Sequence, residues 1–274
     1  MNVITLCNLF LLLMLQPSWS LDPYYKACYP RACGNLSISY PFYIRGVQEP
    51  YCGYPDFGVT CDRNNRSIIN ISGDNYIIQN ISYDDQSVRV TKSAFLHPVF
   101  HCIHSIPNRT FNDPRFQLST SHKTILLLQN CTENSIKRLQ HNRITCISEN
   151  ENRTAFAVYE QENYVEKFAV NCDTMAKVPY EGQNDSNVEN ALRRGIVLNW
   201  TTSNCSACVS SGGRCGVDEL TSEPRCFCPC RPHIYSCNHH SSPGSLLTFS
   251  ESFASFCQHF KRRPKFFGLE NKIA

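Results

Sequence analysis

The sequence has 274 residues, a formal net charge of +3 and seventeen cysteines. The basic excess lies after Cys205, mainly between Lys261 and Lys265, whereas positive and negative residues balance from Cys28 to Asn204. This distribution gives no support to a broadly basic face that binds polyanions such as nucleic acid.

An N-terminal apolar segment predicts a signal peptide over residues 1–20. The run from Val3 to Leu15 has only two polar interruptions, and it is too short to span a bilayer, which needs about 20 apolar residues. Cleavage after Ser20 would remove Cys7 and leave sixteen cysteines, an even number that favours disulfide pairing in a secreted chain. An uncleaved signal anchor is the alternative to secretion, and zinc binding is the alternative to disulfides after Cys205.

Ten Asn-x-Ser/Thr sequons predict a heavily glycosylated surface. Asn130 and Asn204 have cysteine in the middle position and are predicted to stay bare. The other eight, which are predicted to carry glycans, are Asn35, Asn65, Asn70, Asn80, Asn108, Asn152, Asn184 and Asn199. Together with the signal peptide, these sequons predict a secreted glycoprotein.

The first predicted module spans residues 26–102 and opens with glycine and proline turns between four cysteines. A segment so rich in turns buries little apolar surface, so we expect disulfides, rather than a large apolar core, to hold its aromatic rings in place. Farther along, Tyr76–Ile81 and Ser87–Thr91 are rich in β-branched residues and flank an Asp-Asp turn. They predict a hairpin in which Arg89 faces outward between two buried valines.

Residues 103–123 carry two prolines and little periodicity, which predicts a linker. The second module spans residues 124–237, and residues 238–274 form a tail that matches no pattern. One helix is predicted over Val188–Arg194, with capping side chains just before it and Gly195 just after it. Three strands are predicted in this module, at Thr124–Leu128, Ile144–Ile147 and Ala155–Tyr159. The predicted fold class is mainly β, with small disulfide-rich modules, short strands and one short helix.

Two cysteine-rich stretches resemble parts of a known family. The first has the pattern Cys28-x4-Cys33-Gly34-x5-Tyr40-Pro41-Phe42, followed by Cys52-Gly53, Pro55, Phe57 and Cys61. It resembles the galacturonan-binding ectodomain of plant wall-associated receptor kinases, and in particular the leaf-rust-resistance-locus type of receptor-like kinase. The second has Leu192, Gly195, Val197 and Trp200, then Cys205, Cys208, Cys215-Gly216, Cys226 and Cys228. It resembles the C-terminal domain associated with these kinases, but departs from it at Cys230-Arg231, where the family has an Asp-Gly pair.

The resemblance implies a set of fourteen disulfide cysteines. They are Cys28, Cys33, Cys52, Cys61, Cys102, Cys131, Cys146, Cys172, Cys205, Cys208, Cys215, Cys226, Cys228 and Cys237. Cys230 and Cys257 fall outside this set, and two alternatives are open for them: they pair with each other, or they stay free.

The resemblance also implies a galacturonan ligand, whose sugar rings would stack on aromatic side chains and whose carboxylates would pair with arginine. The candidates for stacking are Tyr40, Phe42, Tyr43, Tyr54 and Phe57. The candidates for carboxylate pairing are Arg45, Arg63, Arg66 and Arg89. A structural role in the core is the alternative interpretation of Tyr40, Phe42 and Phe57.

No catalytic residue, metal site or cofactor is predicted. Neither a G-x-S-x-G nucleophile nor the kinase motifs occur in the sequence, and Asp84-Asp85 is interpreted as a hairpin turn rather than an acid/base pair. His97, His101 and His104 have helical spacing, but a proline interrupts them, so we interpret them as a surface cluster.

The sequence therefore predicts a secreted, non-catalytic glycoprotein that binds pectin (galacturonan) in the plant cell wall, as a receptor ectodomain without membrane-spanning and kinase parts. The alternative is a secreted defence or signalling protein that binds a membrane receptor or another extracellular protein through its second module, where Ser206–Pro224 offers a polar loop. A third hypothesis, a cell-wall hydrolase, has no positive support in the sequence. No nucleic-acid partner is predicted.

Overall fold

A computed structural model of the chain describes residues 21–96, 100–101, 111, 113–148, 151–160, 172–182, 187–230 and 233–237. The predicted signal peptide and the tail after residue 237, with Cys257, lie outside these residues. The predictions for His97, Cys102, His104, Asn108 and Asn184, and for the side chains of His101, Cys146 and Asn152, also lie outside what is described.

The fold of the described residues is mainly β, as predicted. The strands are β1 (Arg31–Cys33), β2 (Leu36–Ile38), β3 (Tyr43–Ile44), β4 (Gly58–Cys61), β5 (Ser67–Ile71), β6 (Asp74–Ser82), β7 (Ser87–Lys92), β8 (Phe100–His101), β9 (Phe116–Leu118), β10 (His122–Cys131), β11 (Arg143–Ser148), β12 (Glu151–Tyr159), β13 (Cys172–Glu181), β14 (Ile196–Trp200), β15 (Arg214–Val217) and β16 (Pro224–Phe227). The helices of the described residues are short: α1 (Pro23–Ala27), α2 (Glu133–Arg138), α3 (Val188–Arg194) and α4 (Ser206–Ser210).

The described residues divide into two compact units, of which the larger lies within residues 30–203 and the smaller comprises residues 21–29, 204–230 and 233–237. The larger unit contains a seven-stranded sheet in the order β3-β4-β5-β6-β7-β14-β9 and a five-stranded sheet in the order β13-β10-β12-β11-β8. The predicted linker at 103–123 supplies β9 and the start of β10, and β14 of the second predicted module lies beside β7 of the first. The two predicted modules therefore do not correspond to separate sheets.

One face of the seven-stranded sheet covers a large apolar core. Val88 and Val90 are fully buried there, and Arg89 between them points to the other face, as predicted. Phe42 packs edge-on against Trp200, with ring centroids 5.1 Å apart. The expectation that disulfides replace an apolar core is therefore wrong for this unit, because strands far apart in sequence contribute to one shared core.

The central strands β10 and β12 of the five-stranded sheet are buried on both faces. Ile125 and Leu127 pack with Leu192 of α3 on one side, while Leu126 and Leu128 pack on the other. A strand buried on both faces needs a continuous apolar run rather than an alternating one. This requirement explains the uninterrupted Ile125–Leu128 sequence.

Helix α3 lies on the outer face of the seven-stranded sheet, opposite the core. Asn187 caps it, because its Oδ1 accepts the N–H of Glu189 at 2.8 Å. Thr91 of β7 donates its hydroxyl to the carbonyl of Leu192 at 3.0 Å. Gly195 ends the helix with φ +70°, and a Cβ there would overlap the carbonyl oxygen of Val90. Both the conformation and the close approach require glycine at this position, as the sequence predicted.

Disulfides link neighbouring elements in both units. The pairs are Cys33–Cys61 and Cys131–Cys172 in the larger unit, and Cys205–Cys215, Cys208–Cys226 and Cys228–Cys237 in the smaller unit. Cys28, Cys52 and Cys230 are also disulfide-bonded, so the free-thiol alternative is wrong for Cys230. The zinc alternative is wrong for the cysteines of the smaller unit, whose buried cluster is made of cystine sulfur.

A buried ion pair joins three loops at the rim of the core. Nε and Nη2 of Arg115 donate to the two carboxylate oxygens of Asp113 at 2.9 and 2.8 Å. Arg115 also donates to the carbonyls of Asp56 and Asn70, while Asp113 accepts the N–H of Ser72 at 3.2 Å. The pair therefore fixes two turns of the sheet to the segment that leads into β9, inside the predicted linker.

Replacing Asp113 with asparagine should lower the free energy of unfolding at pH 7 by about 2–4 kcal/mol, because it leaves the Arg115 guanidinium without its counter-ion in a mostly buried place. Urea unfolding measures the change. Asp74→Asn is the matched control, since it breaks the more exposed Lys92–Asp74 pair and should cost less than about 1 kcal/mol. Equal losses in the two variants would contradict the assignment.

The same variant should change how stability depends on pH. Burial acts to raise the pKa of Asp113, but the hydrogen bonds and charge of Arg115 outweigh it and lower the pKa below its ordinary value. A carboxyl with a lowered folded-state pKa stabilises the fold above its unfolded pKa of about 3.9 and loses that contribution as the pH falls through the folded value. The wild type should therefore lose more stability below about pH 4 than Asp113→Asn does.

Candidate functional site

Strand β3 forms one edge of the seven-stranded sheet and places two candidate residues on its outer face. Ile44 is buried in the core, so the alternation of the strand directs its neighbours Tyr43 and Arg45 the other way. The Tyr43 side chain is half-buried and that of Arg45 is exposed. A phenol ring and a guanidinium thus lie side by side on this edge.

Two glycines lie beneath these side chains. Gly58 of β4 is the partner of Tyr43 in the parallel pair β3–β4. A Cβ on Gly58 would overlap Nε of Arg45 and lie 3.0 Å from Cζ of Tyr43, and a Cβ on Gly53 would overlap Cδ1 of Tyr43. The ring and the guanidinium therefore rest directly on bare backbone, an approach that glycine permits.

The turn after β3 is fixed by the buried side chain of Gln48. Its Oε1 accepts the N–H of Ile44 at 2.8 Å, and the N–H of Arg45 donates to the carbonyl of Val59 at 2.9 Å. Gly46 completes the turn with φ +74°. The bond to Gln48 satisfies the N–H of Ile44, which could otherwise pair with a strand of another chain at this sheet edge. The two bonds together fix the backbone that carries Arg45.

The predicted arginines differ in their surroundings. Arg45 and Arg63 are exposed and have no ion-pair or hydrogen-bond partner for their side chains in the part of the chain that the structure describes. Arg66, in contrast, donates from Nε to Asp62 at 2.8 Å. The backbone hydrogen bond from Arg66 is the main cause of a lowered pKa at Asp62, which keeps a negative charge beside the guanidinium. A ligand carboxylate would compete with Asp62, so Arg66 is a weaker candidate than Arg45.

Arg89 is not close to the Tyr43–Arg45 edge. Three strands separate β3 from β7, which corresponds to about 19 Å at the usual spacing of paired strands. The structure therefore does not combine Arg89 with Arg45 in one site.

Two of the predicted stacking residues belong to the core. Phe42 and Phe57 are fully buried, with their rings packed against each other at 5.5 Å, so neither has a face for a sugar. Tyr40 is also buried, and burial raises its pKa to about 12, with the hydroxyl of Thr202 acting in the opposite direction. Tyr54 is half-buried and packs edge-on against Phe57. The core interpretation therefore applies to Phe42, Phe57 and Tyr40, and Tyr43 is the ring that the edge presents.

Sequence reasoning missed the supporting residues Gly53, Gly58 and Gln48. A glycine inside a strand marks a close approach of another group, but no strand was predicted around Gly58, so the sequence did not reveal this approach. The exposed Thr60 is a further candidate, because it follows on the face that carries Gly58 and Arg45.

The described sequon asparagines are all exposed, as glycan acceptors must be. Those predicted to carry glycans are Asn35, Asn65, Asn70, Asn80 and Asn199. Their glycosylation stays a prediction.

The described residues thus form a β-rich fold crosslinked by disulfides, with a tyrosine and an arginine side by side on one sheet edge. Two family models match the chain: wall-associated receptor kinase galacturonan-binding over residues 28–92, and wall-associated receptor kinase C-terminal over residues 119–231. The chain therefore contains both of these domains, as the resemblance predicted. The first match contains every residue of the Tyr43–Arg45 edge.

The chain is similar to several leaf rust 10 disease-resistance locus receptor-like protein kinase-like proteins of Arabidopsis thaliana. It is 36% identical to protein 1.2 over 226 residues, which is 79% of this chain and 34% of the relative. It is 26% identical to protein 2.8 over 85% of this chain, which is 26% of that relative. It is also 26% identical to protein 1.4 over 68% of this chain, which is 28% of that relative. The chain thus spans between about a quarter and a third of the length of these relatives. No solved structure matches it.

Among the described residues, no helix has the length and apolar character needed to cross a membrane.

The two glycines under the edge should differ in their tolerance of alanine. At Gly53 the added methyl meets the backbone oxygen of Pro41 at 2.8 Å, which cannot move away, so Gly53→Ala should lower the free energy of unfolding by about 1–3 kcal/mol. At Gly58 it meets mainly the flexible end of Arg45, so Gly58→Ala should cost less. Chemical denaturation of both variants measures the order, and a larger loss for Gly58→Ala would contradict the proposed contacts.

Proposed function

We propose that the chain is an extracellular, non-catalytic glycoprotein that binds galacturonan, the acidic polymer of pectin, at the Tyr43–Arg45 edge. The observation that carries this proposal is the exposed Arg45 guanidinium beside the Tyr43 ring, with both groups resting on Gly53 and Gly58. The match of residues 28–92 to a galacturonan-binding family supports it.

The two side chains offer the two contacts that a galacturonate residue needs. A guanidinium pairs with a carboxylate through two parallel N–H donors, and these charge-assisted bonds are stronger than neutral ones. A tyrosine ring provides a flat apolar face for the C–H groups of a sugar and a hydroxyl for its polar edge. Because Arg45 and Tyr43 are neighbours on one face, they would contact one sugar or two successive sugars of a chain.

An extended polymer would continue past Arg45 toward the turn after β4. The exposed side chain of Thr60 follows Gly58 along β4, and the exposed Arg63 lies in the turn beyond it. Arg63 would supply a second positive charge for a carboxylate farther along the polymer. Each exposed ion pair contributes little by itself, so binding would depend on several carboxylates in succession.

We infer secretion from the predicted signal peptide at 1–20 and from the exposed sequons. The location that fits a galacturonan ligand is the extracellular space or the cell wall. Glycans on Asn35, Asn65 and Asn70, whose side chains are exposed, would keep such a protein soluble among wall polymers.

Replacing Arg45 with glutamine should weaken binding to de-esterified galacturonan up to about fivefold at low salt, the size expected for one exposed ion pair of about 1 kcal/mol. Affinity electrophoresis or calorimetry on the full chain measures the change. Lys137→Gln is the matched control, because it removes one positive charge from α2, where Lys137 pairs only loosely with Glu133. Unchanged binding by Arg45→Gln would contradict the assignment of the galacturonan-binding site to this edge.

The ligand gives an independent control for the same prediction. Fully methyl-esterified galacturonan has the same sugars but lacks carboxylates, so it should bind weakly, and the wild type and Arg45→Gln should bind it equally. Added salt should weaken binding of the acidic polymer by the wild type, since exposed charges are screened. Tight binding to the esterified polymer would mean that carboxylates are not what the protein recognises.

A second candidate function, recognition of an extracellular protein by the smaller unit, is favoured by the loop between β15 and β16. Leu220 at its tip is 96% exposed. The loop is nevertheless ordered, because Oδ1 of Asp218 accepts the N–H groups of Leu220 and Thr221 at 3.0 and 3.1 Å. An apolar side chain on a pre-organised loop loses little conformational entropy on binding.

If this loop binds a partner, Leu220→Asp should reduce recovery of that partner at least about tenfold, because the anchoring side chain of an interface often contributes 2 kcal/mol or more. The measurement is cross-linking in wall extracts, followed by affinity measurement with the partner that mass spectrometry identifies. Leu220→Met keeps the apolar volume and should behave as the wild type. Galacturonan binding should be unaffected by both substitutions.

A further inference from the structure

Arg89 has an unusual environment for a surface arginine. It is half-buried on the outer face of β7, and its Nη1 is buried without a hydrogen-bond partner in the described part of the chain. A buried charged donor that lacks an acceptor is destabilising. The ligand edge cannot supply the acceptor, because it lies on the far side of three intervening strands.

Two sequons flank this arginine on the same face of the sheet. Asn80 is directly opposite Arg89 in the pair β6–β7, and Asn199 follows Val197, which is opposite Arg89 in the pair β7–β14. Opposed residues have Cβ atoms about 5 Å apart, and diagonal neighbours about 7–8 Å apart. Both asparagines are exposed, so a sugar on either would begin within reach of the guanidinium.

We propose that Asn80 carries an N-linked glycan whose first N-acetylglucosamine accepts a hydrogen bond from the Arg89 guanidinium, which turns Nη1 from its buried position toward the sugar. In the modification, the side-chain nitrogen of Asn80 loses one proton and bonds to the anomeric carbon of a lipid-linked oligosaccharide, whose pyrophosphate leaves. The acetamide carbonyl and the ring hydroxyls of the attached sugar then provide oxygen acceptors beside Arg89. A hydrogen bond from a guanidinium to such an oxygen is charge-assisted.

This contact gives Arg89 a structural role that replaces its predicted role in ligand binding. The glycan on Asn80, with a second one on Asn199, would cover the outer face around β7. The Tyr43–Arg45 edge, about 19 Å away by strand spacing, would stay open to polymer. The chain's own sugars would thus occupy one end of this face and leave the other end free for the ligand.

The test is a double-mutant cycle on the secreted, glycosylated chain. Mass spectrometry first measures the occupancy of Asn80. Thermal unfolding then compares the wild type, Asn80→Gln, Arg89→Met and the double variant. Asn80→Gln should lower Tm by about 2–4 °C when Arg89 is present, a shift typical of one lost interaction in a domain of this size, and by much less when Arg89 is methionine.

Two controls keep the outcome clear. Asn35→Gln removes a glycan from the β1–β2 turn, so its effect should be the same with Arg89 and with methionine at that position. Trimming the wild-type glycans enzymatically to a single N-acetylglucosamine should leave Tm unchanged, because the first sugar makes the contact, and this test requires no variant to fold. An unmodified Asn80, or equal Tm losses in both backgrounds, would overturn the proposal and leave water as the acceptor for Nη1. Galacturonan binding should be unchanged by Arg89→Met.

Discussion

The larger unit depends on the insertion of β14 between β7 and β9. Leu198 is fully buried in this strand, and the Trp200 ring packs against Phe42, so residues near position 200 complete the core beneath the first cysteine-rich segment. Such long-range pairing carries a loop-closure cost that only a large buried surface offsets. The region matched as galacturonan-binding, residues 28–92, therefore has its sheet completed by β14, which belongs to the second matched region.

The two units are stabilised in different ways. In the larger unit, a core of aliphatic and aromatic side chains lies under the sheet, and Cys33–Cys61 adds a crosslink over 28 residues that the chain-entropy model values at roughly 3.5 kcal/mol. In the smaller unit, the buried cluster is cystine sulfur, and Gly213 lies so close to it that a Cβ would overlap Sγ of Cys226. Only the smaller unit therefore conforms to the expectation that crosslinks take the place of a core.

Local patterns predicted local structure well. The hairpin of β6 and β7, helix α3 and its Gly195, and the apolar run of β10 all follow from residues close together in sequence. The pairing of β14 with β7, and the Asp113–Arg115 pair inside a predicted linker, depend on partners about forty to a hundred residues away, and no periodicity encodes them. The candidate site was predicted only in part: Tyr43 and Arg45 were named, but Phe42 and Phe57 stayed among the ligand candidates beside a core role, because aromatic content alone does not reveal which rings face inward.

The position of the proposed site on an edge strand has a physical consequence for recognition. Gln48 holds the backbone beneath Arg45, and Gly53 and Gly58 support the side chains, so the edge loses little conformational freedom when a sugar binds. A flat, exposed edge cannot enclose a sugar, and its selectivity must therefore come from charge rather than shape. Weak ion pairs become effective when a polymer presents many carboxylates, because each dissociation is followed by rebinding at high local concentration. Such a site would respond to the density of free carboxylates along the chain, a property that esterification controls, more than to the identity of any single sugar.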